Sequence, residues 1–342
     1  MSPPGWDGEK TMTGFTIRRA LAGAALGLSA LLLGAPAQAQ SDPAANYPDK
    51  PIRLVVPFAA GGGNDIFARV VGTKASEILG QQIYIENRPA AGGRVAAEFV
   101  MRQPADGYTL FVGASGVMSI SAAIYPTLPY HPTKNFIPLA MIASFPLILT
   151  APMESPVTTV AELVAYGKAH PEKSNFAHTS PAFQIPAEIL KLSSGMPATG
   201  VPVKSSAEMV QCVMQQVCTF TFTDGPPAIP QIKDKRMRAL AVTGAERSPE
   251  LPDTPSMAEA GFPDVNVKIW AGVFAPAGTP PAIVKKLEGA IQAAINDAEV
   301  SAKLRAMAVN PGRISADEFR KIIDNDILSY VDVVKKANLT FE

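Results

Sequence analysis

The chain has 342 residues, 47% of them hydrophobic and 18% charged, which is enough to bury the cores of two domains. Lysine plus arginine and aspartate plus glutamate both number 30, and no basic run with interleaved aromatic residues occurs. This balance argues against nucleic acid as a partner.

The first 39 residues have the pattern of a cleavable signal peptide. A pair of arginines precedes a charge-free apolar run at 20–33, and Ala-Pro-Ala-Gln-Ala at 35–39 is a small-residue cleavage site. The apolar run is shorter than the roughly 20 residues of a membrane-spanning helix. We therefore expect export rather than anchoring, with a mature chain that begins near Gln40. Met1 and Met12 are alternative starts, and the Sec and twin-arginine routes both remain open.

Beyond that segment, short runs rich in valine, isoleucine and leucine alternate with longer helical patterns. This alternation is typical of βα units around mainly parallel sheets. The predicted strands cover residues 52–57, 82–86, 109–113, 139–151, 175–178, 200–203, 219–223, 239–243 and 267–275. The predicted helices cover residues 64–79, 157–170 and 280–297, with a last long helix from Ser315.

Two long apolar stretches, 137–151 and 265–274, resemble strands that pass between domains. They bracket a middle segment of complete βα units, so the chain leaves one lobe, builds a second and returns. The predicted fold is α/β, with two doubly wound domains joined by two crossover strands. Residues 40–146 and 266–342 form the first lobe and residues 147–265 the second, and the cleft between them closes on a ligand about a hinge.

The stretch VVPFAAGGGNDIFAR joins the first predicted strand to the first helix through a glycine turn. Unpaired N–H groups and the helix dipole make such a helix start an anion site. The stretch lacks both the dinucleotide spacing G-x-G-x-x-G and a P-loop lysine, so a carboxylate is favoured over a phosphate. Alternatively, the glycines only permit a tight turn while Asn64 and Asp65 cap the helix. Phe58 either walls an apolar ligand or belongs to the core.

Four further loops follow predicted strands, at the strand ends where open α/β sheets bind ligands. In the small-residue turn at 113–117, Ser115 could supply a hydroxyl and an N–H, or the turn is a bare connection. The loops at 178–180, 204–206 and 223–225 could converge on one end of the second sheet. His178 stands out there, although a lone histidine is more often structural than a ligand contact.

The residue types needed for catalysis do not cluster in the sequence. His131, His170 and His178 lie in different contexts, and none has a second metal ligand at i+2 or i+4. The nucleophile elbow G-x-S-x-G is absent. We therefore predict a protein that is not an enzyme and has no metal site and no cofactor.

Cys212 and Cys218 are the only cysteines. An oxidising compartment permits a disulfide, but this spacing runs from the end of a predicted helix into the next strand, where the Cα atoms could lie too far apart. Two small buried hydrophobic residues are the favoured interpretation, and a disulfide is the alternative.

The motifs YPDKPIRLVVPFAAGGGNDIFAR, ENRPAAGG, DGYTLFVGASG, LPYHPTKNFIPLAMIA, RALAVTGAERSPELPDTPSMAEAGFP and FAPAGTPPAIVKKL occur in this order from Tyr47 onward. In sequence and spacing they resemble the substrate-binding proteins of tripartite tricarboxylate transporters, the Bug or TctC family. The resemblance implies a type II periplasmic-binding-protein fold, a periplasmic monomer, and delivery of a small organic mono- or dicarboxylate to a membrane permease. Aliphatic and aromatic acids both remain open, and a sensing component that binds the same ligand is the alternative function.

The resemblance also implies which loops hold the ligand. Backbone groups and bridging waters around 57–64 and 113–116 would hold one carboxylate in the first lobe, and second-lobe loops would contact the rest. This chain departs from the family in the second lobe, where residues 177–182 replace a glycine-rich S-x-G-x-G-[ST] loop and residues 201–206 replace V-P-Y-K-G-[ST]. The candidate ligand-binding residues are Phe58, Ala59, Ala60, Gly61, Gly62, Asn64, Ser115, Gly116, His178, Thr179, Ser180, Ser205, Ser206, Thr223 and Asp224.

Overall fold

The computed structural model describes residues 44–125 and 127–336. The predicted signal peptide and its cleavage site lie outside the described residues. Within the described ranges, no helix combines the length and apolar character needed to cross a bilayer.

The described chain is a succession of strands and helices, with a 3₁₀ turn at Ala91–Gly93 and a π-helical turn at Gly116–Ile120. In chain order the elements are β1 (Ile52–Val56), α1 (Gly63–Leu79), β2 (Ile83–Asn87), α2 (Arg94–Met101), β3 (Thr109–Ala114), α3 (Ser121–Ile124), β4 (Phe136–Pro146), β5 (Ile148–Pro152), α4 (Val160–Ala169), β6 (Asn175–His178), α5 (Pro181–Ser194), β7 (Thr199–Pro202), α6 (Ser206–Met214), β8 (Phe220–Thr223), α7 (Gly225–Lys233), β9 (Met237–Val242), β10 (Lys268–Pro276), α8 (Pro281–Asn296), α9 (Ala298–Arg305), β11 (Asn310–Pro311) and α10 (Ala316–Lys336).

The strands form two sheets. The six-stranded sheet has the order β11-β4-β10-β3-β1-β2, with β1 parallel to β2 and β3, and with β10 antiparallel to β3 and β4. The five-stranded sheet has the order β7-β6-β8-β5-β9, with β6 parallel to β7 and β8, and with β5 antiparallel to β8 and β9. The mixed α/β architecture with two sheets confirms the predicted fold class.

The strand predicted at 139–151 is two strands that belong to different sheets. β4 ends in the first sheet, Leu147 intervenes, and β5 begins in the second. The buried Thr243 holds this crossing point, because its Oγ1 accepts a hydrogen bond from the Leu147 N–H at 2.8 Å and donates one to the Val267 carbonyl on the return crossing. One side chain therefore ties both crossover segments together.

Two helix starts carry the reciprocal side-chain hydrogen bonds of a capping box. Thr159 caps α4 in a full capping box, in which its Oγ1 accepts from the Glu162 N–H at 3.1 Å and the Glu162 carboxylate accepts from the Thr159 N–H at 3.1 Å. Ser315 and Glu318 make the same reciprocal pair at the start of α10, at 3.2 and 2.9 Å. Both starts agree with the sequence prediction within a few residues.

Cys212 and Cys218 are joined in a disulfide, so the favoured interpretation of two separate buried thiols was wrong. After α6 ends, Gln216 adopts a positive φ of 59°, which turns the chain back. The N–H groups of Val217 and Cys218 then both donate to the Cys212 carbonyl at 3.0 Å. This tight loop brings the two Cα atoms to 5.2 Å, within the range that a disulfide spans.

Candidate functional site

The loops after β1 and β3 of the first sheet touch the loops after β6, β7 and β8 of the second. Two hydrogen bonds cross the interface directly: the Ala59 N–H donates to the Lys204 carbonyl at 3.1 Å, and the Gly63 N–H donates to Ser206 Oγ at 3.1 Å. The candidate residues of the two lobes therefore meet at one interface, although they are far apart in sequence.

On the first-lobe side, the glycine turn is fixed by Asp65. Gly61 has φ +84°, a left-handed conformation that favours glycine, and its N–H donates to Asp65 Oδ2 at 3.0 Å. The same carboxylate accepts two hydrogen bonds from Arg69, at 3.0 and 2.9 Å, and one from Asn87 Nδ2 at 3.0 Å. Asn87 also donates to the Phe58 carbonyl at 3.0 Å, so the turn is tied down from both sides.

The residue at the N-cap position of α1 is Gly62, not Asn64 or Asp65 as one interpretation of the sequence had it. Asp65 instead acts from the first turn of the helix. Its burial would raise its pKa, but the hydrogen bonds from Arg69, Gly61 and Asn87 and the charge of Arg69 together hold that pKa below its ordinary value. Asp65 is thus an ionised structural group.

On the second-lobe side, three helices begin at the interface. Ser205 caps α6, with its Oγ accepting from the Glu208 N–H at 3.2 Å. Ser180 and Asp224 hold the N-cap positions of α5 and α7, yet among the described residues neither side chain makes a capping hydrogen bond. The N-terminal ends of three dipoles therefore face the first lobe.

Close approach at glycines brings these helix starts against the first lobe. A Cβ atom on Gly62 would lie 3.1 Å from Ser206 Oγ, one on Gly63 would lie 2.2 Å from Asp224 Oδ2, and one on Gly116 would lie 2.9 Å from Ser180 Oγ. Side chains at these positions would push the lobes apart. Within this buried region of the interface, the start of α1 therefore meets the starts of α6 and α7, while the start of α5 meets the turn at Gly116.

Several polar atoms in this region are buried and have no hydrogen-bonding partner among the described residues. They are Asn64 Oδ1, Ser180 Oγ, Thr223 Oγ1 and both carboxylate oxygens of Asp224. Buried polar atoms are nearly always hydrogen-bonded in folded proteins, and leaving one unpaired costs about 1–3 kcal/mol. Their presence on both sides of the interface makes it a candidate site for a polar ligand.

Asp224 is the most buried ionisable group of the cluster, with 1% of its surface exposed. Burial raises its pKa to about 6, and the nearby Ser206 hydroxyl and the N–H groups of Asp224 and Gly63 offset this only in part. These neighbours lie close enough to act on the charge, but none makes a well-aligned hydrogen bond to either oxygen.

The remaining candidates lie around this cluster in different ways. The His178 ring packs 5.8 Å from the Phe176 ring and covers Gly200 on the face of the second sheet, and desolvation lowers its pKa. Ser115 is fully buried and accepts a hydrogen bond from the Trp270 N–H at 3.4 Å. Ala60 and Gly61 are exposed and Ala59 is half-buried.

Phe58 combines the two interpretations that the sequence left open. It is 6% exposed and packs with Val55, Met118 and other residues of a core cluster in the first lobe. It also lines a cavity of about 230 Å³, together with Thr179 and Lys204 from the second lobe.

Three features of the interface were missed by the sequence reasoning. Gly63 is the glycine that admits Asp224, Asn87 supports the turn, and the 3₁₀ turn Ala91–Gly93 lines the cavity beside Phe58. The small-residue run Ala90-Ala-Gly-Gly93 was a usable signal, since it follows a strand in the same way as the other site loops. In the described part of the chain, no group of three or more histidine, cysteine or acidic residues could hold a metal ion.

The chain is similar to a known protein family and to several solved structures. The sequence profile of the TctC family, described as "Tripartite tricarboxylate transporter family receptor", matches residues 67–339. The solved structure of Rpa4515 from R. palustris with adipate is 33% identical to this chain, covers 86% of it and 99% of its own chain, and has a TM-score of 0.82.

Two further solved structures share the fold. MatC (Rpa3494) from Rhodopseudomonas palustris with bound malate is 31% identical, covers 84% of this chain and 100% of its own, and has a TM-score of 0.81. The periplasmic binding protein BugD is 27% identical, covers 86% of this chain and 100% of its own, and has a TM-score of 0.82. These likenesses confirm the two-lobed type II fold that the motifs implied. The chain belongs to the tripartite tricarboxylate transporter receptor family, the TctC or Bug family of periplasmic solute-binding proteins.

Proposed function

We propose that this protein captures a small organic carboxylate between its two lobes and delivers it to the membrane permease of a tripartite tricarboxylate transporter. The observation that carries the proposal is the interface between the lobes, where the starts of α1, α5, α6 and α7 lie with buried, unpartnered polar atoms from both lobes. Helix N-termini favour negative charge through their free N–H groups and their dipoles. A single carboxylate fits such a site without a cationic side chain.

In this proposal, the first lobe holds the carboxylate and the second reads the rest of the molecule. The turn from Phe58 to Asn64 and the turn at Ser115–Gly116 supply backbone groups, and the Asp65 network keeps the first of these turns in place before any ligand arrives. The hydroxyls of Ser180 and Thr223 supply donors from the second lobe. The remaining proposed contacts are Ala59, Ala60, Gly61, Gly62, His178, Thr179, Ser205, Ser206 and Asp224.

Capture would follow from hinge closure. The two interlobe hydrogen bonds, from Ala59 to Lys204 and from Gly63 to Ser206, exist only while the lobes touch. A ligand that hydrogen-bonds to the unpartnered atoms of both lobes stabilises only the closed state. It therefore shifts the population of the protein toward that state. The lobes proposed here are residues 40–146 with 266–342 and residues 147–265, with the crossover segments at Thr243 as the hinge.

The relatives support the ligand class. Rpa4515 was solved with adipate and MatC with malate, both of which are small organic carboxylates. Family membership likewise supports export by the N-terminal signal peptide and action in the periplasm as a receptor rather than an enzyme. The Ser115 hydroxyl, buried and engaged with the Trp270 N–H, is poorly placed to be a nucleophile.

Differential scanning fluorimetry of the purified mature protein against a panel of organic acids tests the proposal. A saturating acid at about 100 times its dissociation constant should add about 2.7 kcal/mol to the free energy of unfolding. Sugars, amines and nucleotides serve as the comparison set. Stabilisation by members of that set and by no carboxylate would refute the proposal, and native mass spectrometry of the fresh protein would identify a retained acid.

A further inference from the structure

We propose that Asp224 makes the receptor select acids that carry a hydrogen-bond donor, such as a hydroxyl, beyond the anchored carboxylate, over acids with a second ionised carboxylate. The inference rests on the proposed function and narrows its ligand class. It comes from one unusual feature, a fully buried carboxylate that faces the anion-binding helix start of the opposite lobe and lacks a partner of good geometry.

The position of Asp224 follows from the second sheet. It comes directly after β8 and precedes α7, and its Oδ2 would lie 2.2 Å from a Cβ on Gly63 in the first turn of α1. The Ser206 hydroxyl already accepts from the Gly63 N–H, so it has one hydrogen left to donate. A carboxylate can accept about four hydrogen bonds, so Asp224 has unused acceptor capacity inside the closed cleft.

Among the described residues, no cationic side chain forms an ion pair with Asp224. Arg69 is paired with Asp65 at 2.9 Å, the Arg94 guanidinium lies 3.9 Å from the Tyr125 ring centroid, and Lys204 is exposed. Among the described residues, no charged side chain contributes to the pKa shift of Asp224, which burial dominates.

This arrangement separates ligands by what they present to Asp224. A hydroxyl gives the carboxylate the hydrogen bond that it lacks, and hydrogen bonds to charged groups are stronger than those between neutral groups. A second ionised carboxylate would place two negative charges together in a buried site where, among the described residues, no cationic side chain compensates them. A methyl group would leave Asp224 unpaired. We therefore expect the hydroxy acid to bind more tightly than either the unsubstituted acid or the dicarboxylate.

Isothermal titration calorimetry at pH 8 with matched acids tests this order. The probes are butyrate, 4-hydroxybutyrate and succinate, with the corresponding sets built on propionate, valerate and hexanoate so that each chain length is covered. For the length that fits, we expect the hydroxy acid to bind on the order of tenfold tighter than the dicarboxylate. The Asp224→Asn variant, which offers an N–H donor in place of the charge, should lose or reverse this preference.

Asp326→Asn is the matched control, because Asp326 is a part-buried carboxylate that accepts from Trp270 Nε1 at 2.7 Å and lies on α10, not on the second-lobe loops. It should keep the wild-type order. Asp224→Ser, which retains a good N-cap residue, replaces Asp224→Asn if the latter does not fold.

An unchanged order of affinity in the Asp224 variants, or wild-type protein that binds the dicarboxylate at least as tightly as the hydroxy acid, would overturn this inference while leaving the proposed function intact. Failure of every acid to bind the wild-type protein would overturn the proposed function, and this inference with it.

Discussion

Replacing Asp224 with asparagine should stabilise the ligand-free protein above neutral pH. Asp224 is fully buried, and burial raises its pKa from the ordinary value of 3.8 to about 6. Below about pH 4 the carboxyl is protonated in the folded and the unfolded chain, so burial costs nothing extra. As the pH rises from about 4 to 6, the unfolded chain releases the proton while the folded chain retains it, and stability falls. Above about pH 6 the full cost is present.

The size of this cost follows from the same two pKa values. Their difference corresponds to at most about 3 kcal/mol, because one pKa unit is worth about 1.4 kcal/mol. For a chain of this size, each kcal/mol changes the melting temperature by about 2–4 °C. Asparagine keeps the size of the side chain and is a preferred N-cap residue, and Asp224 makes no capping hydrogen bond that could be lost.

Thermal unfolding of the wild-type and Asp224→Asn proteins between pH 4 and pH 8 measures the effect. The variant should melt roughly 6 °C higher than the wild type at pH 8, and the difference should shrink as the pH falls through 6. Asp234→Asn, at the exposed end of the same helix, is the matched control for the substitution itself. A constant difference across the range would show that Asp224 is hydrated or paired in solution.

Three further substitutions separate binding from folding. Gly62→Val should abolish carboxylate binding in calorimetry with little loss of thermal stability. The backbone at φ −80° suits valine, but its Cβ would lie 3.1 Å from Ser206 Oγ and its side chain would press on the opposite lobe. Equal loss of binding and of thermal stability would show that the turn is purely structural. Thr223→Val should raise the stability of the ligand-free protein by about 1 kcal/mol in urea denaturation and weaken acid binding about tenfold, since it removes an unpartnered hydroxyl. Thr243→Val should cost roughly 3 kcal/mol in urea, because it leaves groups on both crossover segments unpaired. Thr150→Val, which loses only one long hydrogen bond of 3.3 Å, is its control, and a similar cost for both would refute the hinge role.

Local signals predicted the elements of this fold well. Alternating hydrophobic runs and the glycine turn before α1 each depend on neighbours within a few residues, so they can be predicted from the sequence. The break at Leu147 was missed because the apolar run continues on both sides of it, although Pro146 at the end of β4 was a usable signal. The disulfide was misjudged because it depends on the positive φ of Gln216, a backbone conformation that its residue type does not favour.

The candidate site likewise combines features that the local sequence predicts with contacts that it does not predict. That the glycine turn could hold an anion followed from its position between a strand and a helix, but its support by Asp65 and Asn87 joins residues 22 positions apart. The contact between Gly63 and Ser206 joins residues 143 positions apart. No periodicity or motif predicts such a pair of contacting residues, because the contact forms only after both sheets have folded and the lobes have closed.

The two halves of the interface also differ in how many polar side chains remain unpaired and so available to a ligand. In the first-lobe turn the Asp65 carboxylate is committed to Gly61, Arg69 and Asn87, which holds the turn in place, while Asn64 Oδ1 has no partner among the described residues. The second lobe retains free capacity in Ser180, Thr223 and Asp224. A preformed turn loses little conformational entropy when it binds the carboxylate that all proposed ligands share. Uncommitted side chains then decide between those ligands, which makes the second lobe the place where exchange of one or two residues would change specificity without loss of the carboxylate anchor.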